Sequence, residues 1–275
     1  MSTDKKKEMS FLGHLEVLRW NLIRSSAVVL VLATVAFVFK NIIFDKILLA
    51  PTKLDFFTYK LLCNISKFFT SEGMCIEKLP FTLQSLGMSE QFSIHIWVSI
   101  VVGIIVAFPY IIWEVWTFIS PGLYKHERKY AIWFVIVSSL LFFLGVLFGY
   151  YVITPLSVNF LGNYSVSDLI DRNFKIGSYI SIIKSSVLAS GIMFELPIII
   201  YFLTKMGLVT PDFLRKYRKH AIVIVLILAA VVTPPDVISQ IIVTIPIVVL
   251  YELSIFIAKV VYKKQEKELG LKKTK

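Results

Sequence analysis

Charged residues are scarce in this chain of 275 residues. Lys, Arg, Asp and Glu make up 17% of it, whereas apolar residues make up 57% and the mean hydropathy is +0.77. Soluble domains average about 45–50% apolar residues. The apolar residues also fall in runs of about 13 to 26, and a run of about 18 or more is typical of a membrane span. The composition therefore indicates an integral membrane protein.

Motifs of common enzymes are also lacking. The four histidines, His14, His95, His126 and His220, lie in different segments, so the sequence offers no metal cluster. No Walker-type phosphate loop and no Gly-x-Ser-x-Gly elbow occurs. We therefore expect no metal, no other cofactor and no enzyme activity. A membrane-embedded enzyme is the least supported alternative.

The chain has two cysteines, Cys63 and Cys75, both in the stretch between the first two apolar runs. We expect this stretch to face an oxidising compartment, where disulfides persist. A bridge would close a loop of about 13 residues and contribute roughly 3 kcal/mol in the chain-entropy model. The alternative is two unpaired thiols packed under an amphipathic loop helix.

Six apolar runs predict an all-α domain that fills the chain. The expected spans are 20–39, 92–118, 130–153, 177–203, 221–232 and 237–261, with an outer loop at 40–91 and a basic cytoplasmic tail at 263–275. We expect Pro109 to interrupt the second span and Thr154-Pro155 to end the third. The fifth rises only about 20 Å against a hydrocarbon core of roughly 30 Å, so either its neighbours shield it or the bilayer thins there.

Lysine and arginine are distributed unevenly between alternate loops. Of the 29 such residues, 20 fall in segments 1–24, 119–129, 205–219 and 259–275, and 9 fall in 40–91 and 154–184. Loops rich in lysine and arginine stay on the cytoplasmic side of a membrane. The pattern predicts that both termini are cytoplasmic.

One carboxylate, Glu195, lies inside the fourth span. An ionisable residue at that depth is costly and indicates a functional site by default. The alternative is a neutral glutamate that hydrogen-bonds a neighbouring helix. Glu195 and Lys184 could also form the ion relay of a secondary transporter, although such proteins usually show matched broken helices in their two halves.

A second carboxylate, Glu127, lies in the short inner loop between the second and third spans. With Phe118 and Leu123 it could form an acidic and apolar docking site, which would suit the planar, bidentate head of an arginine. The alternative is a solvated carboxylate that pairs with adjacent basic residues for less than about 1 kcal/mol.

Four other polar residues could have either a functional or a purely structural role. Glu16 precedes the first span on an expected amphipathic helix at 11–22, where it could pair with Arg19 three residues later. Asp236 and Gln240, near the outer ends of the fifth and sixth spans, could cap a helix or bind a ligand.

Four motifs occur in order along the chain. They are His14-Leu15-Glu16-Val17-Leu18-Arg19, Phe118-Ile119-Ser120-Pro121-Gly122-Leu123-Tyr124-Lys125-His126-Glu127-Arg128, Phe194-Glu195-Leu196-Pro197 and Thr233-Pro234-Pro235-Asp236-Val237-Ile238-Ser239-Gln240. Together with six spans and cytoplasmic termini, they closely resemble the TatC family, the core subunit of the twin-arginine protein translocase. The resemblance extends from about Phe11 to Tyr262.

The resemblance implies a receptor in the bacterial inner membrane for twin-arginine signal peptides on folded cargo. It implies single-span partners of the TatA and TatB types, homo-oligomeric assembly, and transport driven by the proton-motive force without a cofactor or nucleic acid. The implied fold is a concave helical bundle with short fifth and sixth helices.

The resemblance also assigns roles to matching residues. Glu127 would accept the signal arginines beside Phe118 and Leu123. Glu195 would face the concave pocket. Matching residues elsewhere are Asp236, within a motif that ends at Gln240, and Pro51, which would shape the first outer loop.

One position departs from the family pattern. The family usually has His-Leu-x-Glu-Leu-Arg near the N-terminus, and this glutamate is its second signal-contacting carboxylate. Here Val17 occupies that position and the carboxylate is Glu16, followed by the matching Arg19. One residue turns a side chain about 100° around a helix. Either the chain start bends to bring Glu16 to the signal, or Glu127 binds the arginines with less help.

Overall fold

The structure is a computed structural model, and it describes residues 11–68, 81–120, 131–167, 172–232 and 237–268. Its α-helices are α1 (Phe11–Val38), α2 (Phe57–Phe68), α3 (Glu90–Ile119), α4 (Ala131–Phe148), α5 (Thr154–Asn163), α6 (Ile176–Phe194), α7 (Leu196–Lys205), α8 (Pro211–Lys216), α9 (Arg218–Val232) and α10 (Val237–Glu268). Two π-helices (Ile42–Leu48 and Gly149–Ile153), a 3-10 helix (Ala50–Thr52) and strands β1 (Thr82–Gln84) and β2 (Asn173–Lys175) complete the order.

The expected all-α class is confirmed, apart from one pair of three-residue parallel strands. Within the described ranges, five helical segments are long and apolar enough to cross a membrane: Leu15–Val38, Glu90–Ile119, Ile132–Asn163, Ile176–Lys205 and Gln240–Glu266. Helix α9, at the place of the predicted fifth span, has 15 residues and rises about 22 Å. It is therefore shorter than a hydrocarbon core of roughly 30 Å.

The chain divides into two compact units. Unit 1 comprises Met1–Lys40 and His95–Leu140, and unit 2 comprises Asn41–Ile94 and Leu141–Lys275. In unit 1, α1 begins at Phe11, so the predicted amphipathic segment and the first span form one continuous helix.

Two predicted helix interruptions are wrong. Helix α3 continues through Pro109, since a proline in an apolar helix removes one hydrogen bond without ending it. The third span continues beyond Thr154-Pro155 to Asn163. Pro155 lies in the first turn of α5, where its missing N–H costs little, and the Thr58 hydroxyl donates to the carbonyl of Tyr151, four residues before the proline.

Small residues bring α4 and α6 close together in unit 2. A Cβ added to Gly149 would lie 2.5 Å from the main-chain oxygen of Ser186, and one added to Gly145 would lie 2.5 Å from that of Ser190. The Ser190 hydroxyl donates to the main-chain oxygen of Gly145 at 2.7 Å. Glycine at both positions therefore permits direct backbone contact, as small residues do between membrane helices.

Helix α10 contacts both α7 and α9. The Gln265 side chain donates to the main-chain oxygen of Lys205 at 2.8 Å, where α7 ends. The Gln240 amide donates to the main-chain oxygen of Leu226 at 3.1 Å, and Arg218 forms an ion pair with Glu252. Helix α9 therefore runs antiparallel to α10.

The prediction of a short sixth helix is wrong, because α10 has 32 residues. Its apolar part is followed by Lys263-Lys264-Gln265-Glu266-Lys267-Glu268. Lys, Gln and Glu are strong helix formers. They extend the helix past the predicted end at Val261.

The segment 42–52, which follows the first span, is held by tyrosine side chains from several elements of unit 2. Tyr150 and Tyr179 donate to the main-chain oxygens of Ile47 and Leu48, each at 2.6 Å. Tyr59 donates to the main-chain oxygen of Pro51 at 2.9 Å, and burial raises the pKa of its phenol. These bonds satisfy carbonyls at the ends of the short helices.

Candidate functional site

Helices α1 and α3 form an antiparallel pair in unit 1, and three contacts define it. Phe37 stacks on His95, with ring centroids 3.8 Å apart. Further along, a Cβ added to Gly103 would lie 2.8 Å from the backbone nitrogen of Ala33. At the other end, Asn21 Nδ2 donates to the main-chain oxygen of Glu114 at 3.1 Å. The start of α1 therefore lies beside the end of α3.

Glu114 is a buried carboxylate in this pair. Its side chain is 5% exposed, and that of Asn21 is 6% exposed. The Tyr110 hydroxyl donates to Glu114 Oε1 at 2.7 Å. Asn21 and Glu114 are thus buried polar residues between two apolar helices, and the partly buried Tyr110 adds a hydrogen bond to the carboxylate.

Glu114 is not among the site residues predicted from the sequence. It lies between Trp113 and Trp116, which are typical of a membrane interface. The signal was present in the sequence, because a glutamate within an apolar run is rare and usually has a specific partner.

Phe118 lies half-buried in the last turn of α3, four residues after Glu114. Two residues before it, Trp116 packs against Phe134 of α4 with ring centroids 4.8 Å apart. The two flanks of segment 121–130 are therefore in contact. Leu123 and Glu127 belong to that segment and lie outside the described residues, so their roles stay predictions.

The face of α1 that meets α3 carries Val17 rather than Glu16. Val17 is one helical turn before Asn21 and is half-buried, whereas Glu16 and Arg19 are exposed. A side chain one position earlier points about 100° away. The helix remains continuous here, so no bend brings Glu16 onto the face that the family glutamate would occupy.

Glu195 lies in unit 2 at the break between α6 and α7, and it is 8% exposed. The amide nitrogens of Ile198 and Ile199 both donate to its main-chain oxygen at 3.0 Å. The break follows from Pro197, which stands in the first turn of α7. Lys184 lies eleven residues earlier on the same face of α6 and is half-buried.

The other described residues that were predicted as site residues are also in unit 2. Pro51 is fully buried in the 3-10 helix, and Gln240 joins α10 to α9. Cys63 is disulfide-bonded. Cys75 and Asp236 lie outside the described residues, so the pairing of Cys63 with Cys75 and the role of Asp236 stay predictions. The structure thus places Glu16, Arg19 and Phe118 in one unit and Glu195, Gln240 and Pro51 in the other.

The comparisons with known proteins agree over most of the chain. The family model described as "Sec-independent protein translocase protein (TatC)" matches residues 13–246. The chain belongs to the TatC family. The TatC of Blattabacterium sp. subsp. Periplaneta americana is 41% identical over 264 residues, covering 95% of this chain and 99% of that protein. The TatC of Desulforapulum autotrophicum is 38% identical over 268 residues, covering 98% and 90%.

Solved TatC structures agree as well. A crystal structure of the twin arginine translocase receptor TatC in DDM has a TM-score of 0.70 and 36% identity, and the match covers 89% of this chain and 99% of that one. A second TatC crystal structure has a TM-score of 0.65 and 34% identity, covering 90% and 99%. The family assignment made from the four motifs is therefore confirmed. The protein is a multi-pass membrane component of Sec-independent protein transport, a translocase subunit rather than a classical enzyme.

Proposed function

We propose that this TatC protein binds twin-arginine signal peptides at the cytoplasmic face of the bacterial inner membrane. With TatA-type single-span subunits, and with TatB-type subunits where these occur, it exports folded proteins at the expense of the proton-motive force. The observation that carries the proposal is the contact between the start of α1 and the end of α3, formed by Asn21 and Glu114. It brings the start of α1, which carries the first motif, beside the end of α3, where the second motif begins at Phe118.

The chemistry of the proposed site is the recognition of a guanidinium group. Glu127 accepts a signal arginine bidentately, and Phe118 and Leu123 pack against its apolar stem. Because Val17 replaces the family glutamate, Glu127 supplies most of the charge. Glu16, exposed on α1, contributes through longer-range attraction, and Arg19 helps to orient the pair.

The proposed orientation places both termini in the cytoplasm and counts α9 as a sixth, short span. Three observations support it. Lysine and arginine concentrate on alternate loops. Helices α1 and α3 are antiparallel, as successive spans must be. The end of α7 meets residue 265 of α10, so the fourth and sixth spans run in the same direction.

Unit 2 is proposed to act in a later step of transport than signal-peptide binding. Glu195 is a buried carboxylate at a helix break, and we propose that it lines the concave pocket of the family together with Gln240 and Asp236. We assign this pocket to the engagement of single-span partners after the signal peptide has bound. Substitution of Glu195 by alanine is then expected to lower export while leaving signal-peptide affinity unchanged.

Export in cells lacking their own receptor subunit tests the proposed function. The chain, expressed with its own single-span partners, is expected to restore export of a folded reporter carrying a twin-arginine signal, and Glu127→Ala is expected to abolish it. The exposed outer-loop variant Asp45→Asn serves as the control. Uptake of a small solute by proteoliposomes of the chain alone, without restored export, would instead support a secondary transporter.

A further inference from the structure

A cluster of exposed aromatic and basic side chains lies between α8 and the start of α9. Phe213 and Tyr217 have ring centroids 4.6 Å apart, and Tyr217 and His220 have centroids 5.6 Å apart. The Lys216 ammonium lies 5.9 Å from the centroid of the Tyr217 ring. With Arg215 and Lys219, both exposed, these four residues form what we call the aromatic–basic patch.

The positive charge of the patch is available to a ligand. In the part of the chain that the structure describes, no ion pair involves Arg215, Lys216 or Lys219. Their neighbour Arg218 differs, because it pairs with Glu252 of α10. The chain thus neutralises one of four adjacent cations internally and leaves three exposed.

Contacts with α10 fix the position of the patch at the start of α9. The Tyr251 hydroxyl donates to the main-chain oxygen of Leu214 at 2.9 Å, and Glu252 pairs with Arg218. Directly after the patch, α9 exposes apolar side chains, among them Val223 at 54% and Ile224 at 56%. An apolar helix face that follows exposed rings and cations has the order expected at the boundary between lipid chains and headgroups.

We propose that the aromatic–basic patch binds the headgroups of anionic phospholipids. Three cations attract the phosphate charge, and each lysine or arginine near an anionic surface strengthens binding severalfold. The rings of Phe213 and Tyr217 lie at the level of the glycerol region, as aromatic side chains prefer at membrane interfaces. The exposed face of α9 contacts the acyl chains of the same lipids.

This chemistry favours a lipid over other anionic ligands. A free phosphate would use the cations alone and leave the exposed rings and the apolar face of α9 without a role. An acidic protein segment would contact the charges but would compete with lipid for that same apolar face. Binding is therefore expected to need both the negative headgroup and the attached chains.

The test uses the purified full chain in phosphatidylcholine nanodiscs, with dansyl-labelled phosphatidylglycerol as the probe and energy transfer from tryptophan as the signal. The variant Arg215→Gln/Lys216→Gln/Lys219→Gln is expected to weaken phosphatidylglycerol binding at least about tenfold. The matched control neutralises three exposed outer-loop lysines, Lys40→Gln/Lys46→Gln/Lys53→Gln. It is expected to change the affinity less than about twofold.

Further arms separate the alternatives. Tyr217→Ser is expected to weaken binding severalfold at unchanged net charge, and higher ionic strength is expected to weaken it for the native chain. Equal losses in the two triple variants would overturn the proposal, because they would indicate a general effect of net charge. Displacement by millimolar inorganic phosphate, or equal affinity for phosphatidylcholine, would also overturn it. Thermal unfolding in phosphatidylcholine nanodiscs checks that each variant is folded. The single variant Lys216→Gln repeats the phosphatidylglycerol-binding measurement with only one charge removed.

Discussion

Asn21 Nδ2 donates a hydrogen bond to the main-chain oxygen of Glu114 at 3.1 Å, although the two residues are 93 positions apart in sequence. The bond joins the first turns of α1 to the last turns of α3. It therefore fixes how the helix that carries Glu16 lies along the helix that ends just after Phe118.

Substitution of Asn21 by leucine is expected to lower the free energy of unfolding by about 1 kcal/mol, because a buried hydrogen bond is lost at nearly constant volume. The affinity for a twin-arginine peptide is expected to fall as well, since the start of α1 is then free to shift along α3. Thermal unfolding in detergent and peptide binding measure the two effects. Thr34→Val, which removes an exposed bond to Leu30 within α1, is the control. Equal behaviour of the two variants would contradict the role given to Asn21.

Removal of the Tyr110 hydroxyl is expected to lower the free energy of unfolding, because it takes a hydrogen-bond donor from Glu114 Oε1. The double variant Tyr110→Phe/Glu114→Leu is expected to be more stable than Tyr110→Phe alone, since no polar group of the pair is then left buried. A double-mutant cycle on chemical unfolding gives the coupling energy. A value near zero would mean that the two side chains act independently.

Alanine at Gly149 is expected to destabilise the protein by roughly 1–3 kcal/mol, the range for overpacked cores. The added methyl group would lie 2.5 Å from the main-chain oxygen of Ser186, so α4 and α6 must separate. Adding Ser190→Ala is expected not to restore stability, because the backbone contact remains. Leu147→Ala, at a half-exposed position on the same helix, is the control. Rescue by Ser190→Ala would show that only a side chain was in conflict.

The ion pair between Arg218 and Glu252 is expected to show a coupling energy of up to about 1 kcal/mol in a lipid bilayer, because it joins the short α9 to an apolar stretch of α10. The pair Asp55–Lys60 provides a matched control. It lies on the outer loop with both side chains largely exposed, and Lys60 holds the pKa of Asp55 below its usual value. Its coupling energy is expected to be smaller, because solvent screens both charges. Equal couplings would contradict a special role for Arg218 and Glu252.

Features governed by short stretches of sequence were predictable. The apolar runs give the long helices, and the short apolar run after His220 gives the short α9. Both follow from local hydrophobicity. The four motifs identify the family for the same reason, since each is a continuous stretch.

Features that depend on distant partners were not predictable. The third span continues past Pro155 because Thr58, almost a hundred residues earlier, donates to a carbonyl that the proline leaves free. Glu114 is joined to Asn21, which is 93 positions away in sequence and could not be placed beside it from the sequence alone. The length of α10 comes from polar helix-forming residues beyond its apolar run, and hydropathy predicts only the apolar part of a helix.

The central claim is that the cytoplasmic end of unit 1 recognises the arginine pair of a signal peptide through Glu127. The most direct measurement compares the affinities of a twin-arginine peptide and its twin-lysine counterpart for the purified chain in nanodiscs. The arginine peptide is expected to bind at least about tenfold more tightly, because lysine lacks the planar fork that a carboxylate binds bidentately. Glu127→Gln is expected to remove most of this difference. Equal affinity for the two peptides, or a preference that Glu127→Gln leaves intact, would contradict the account.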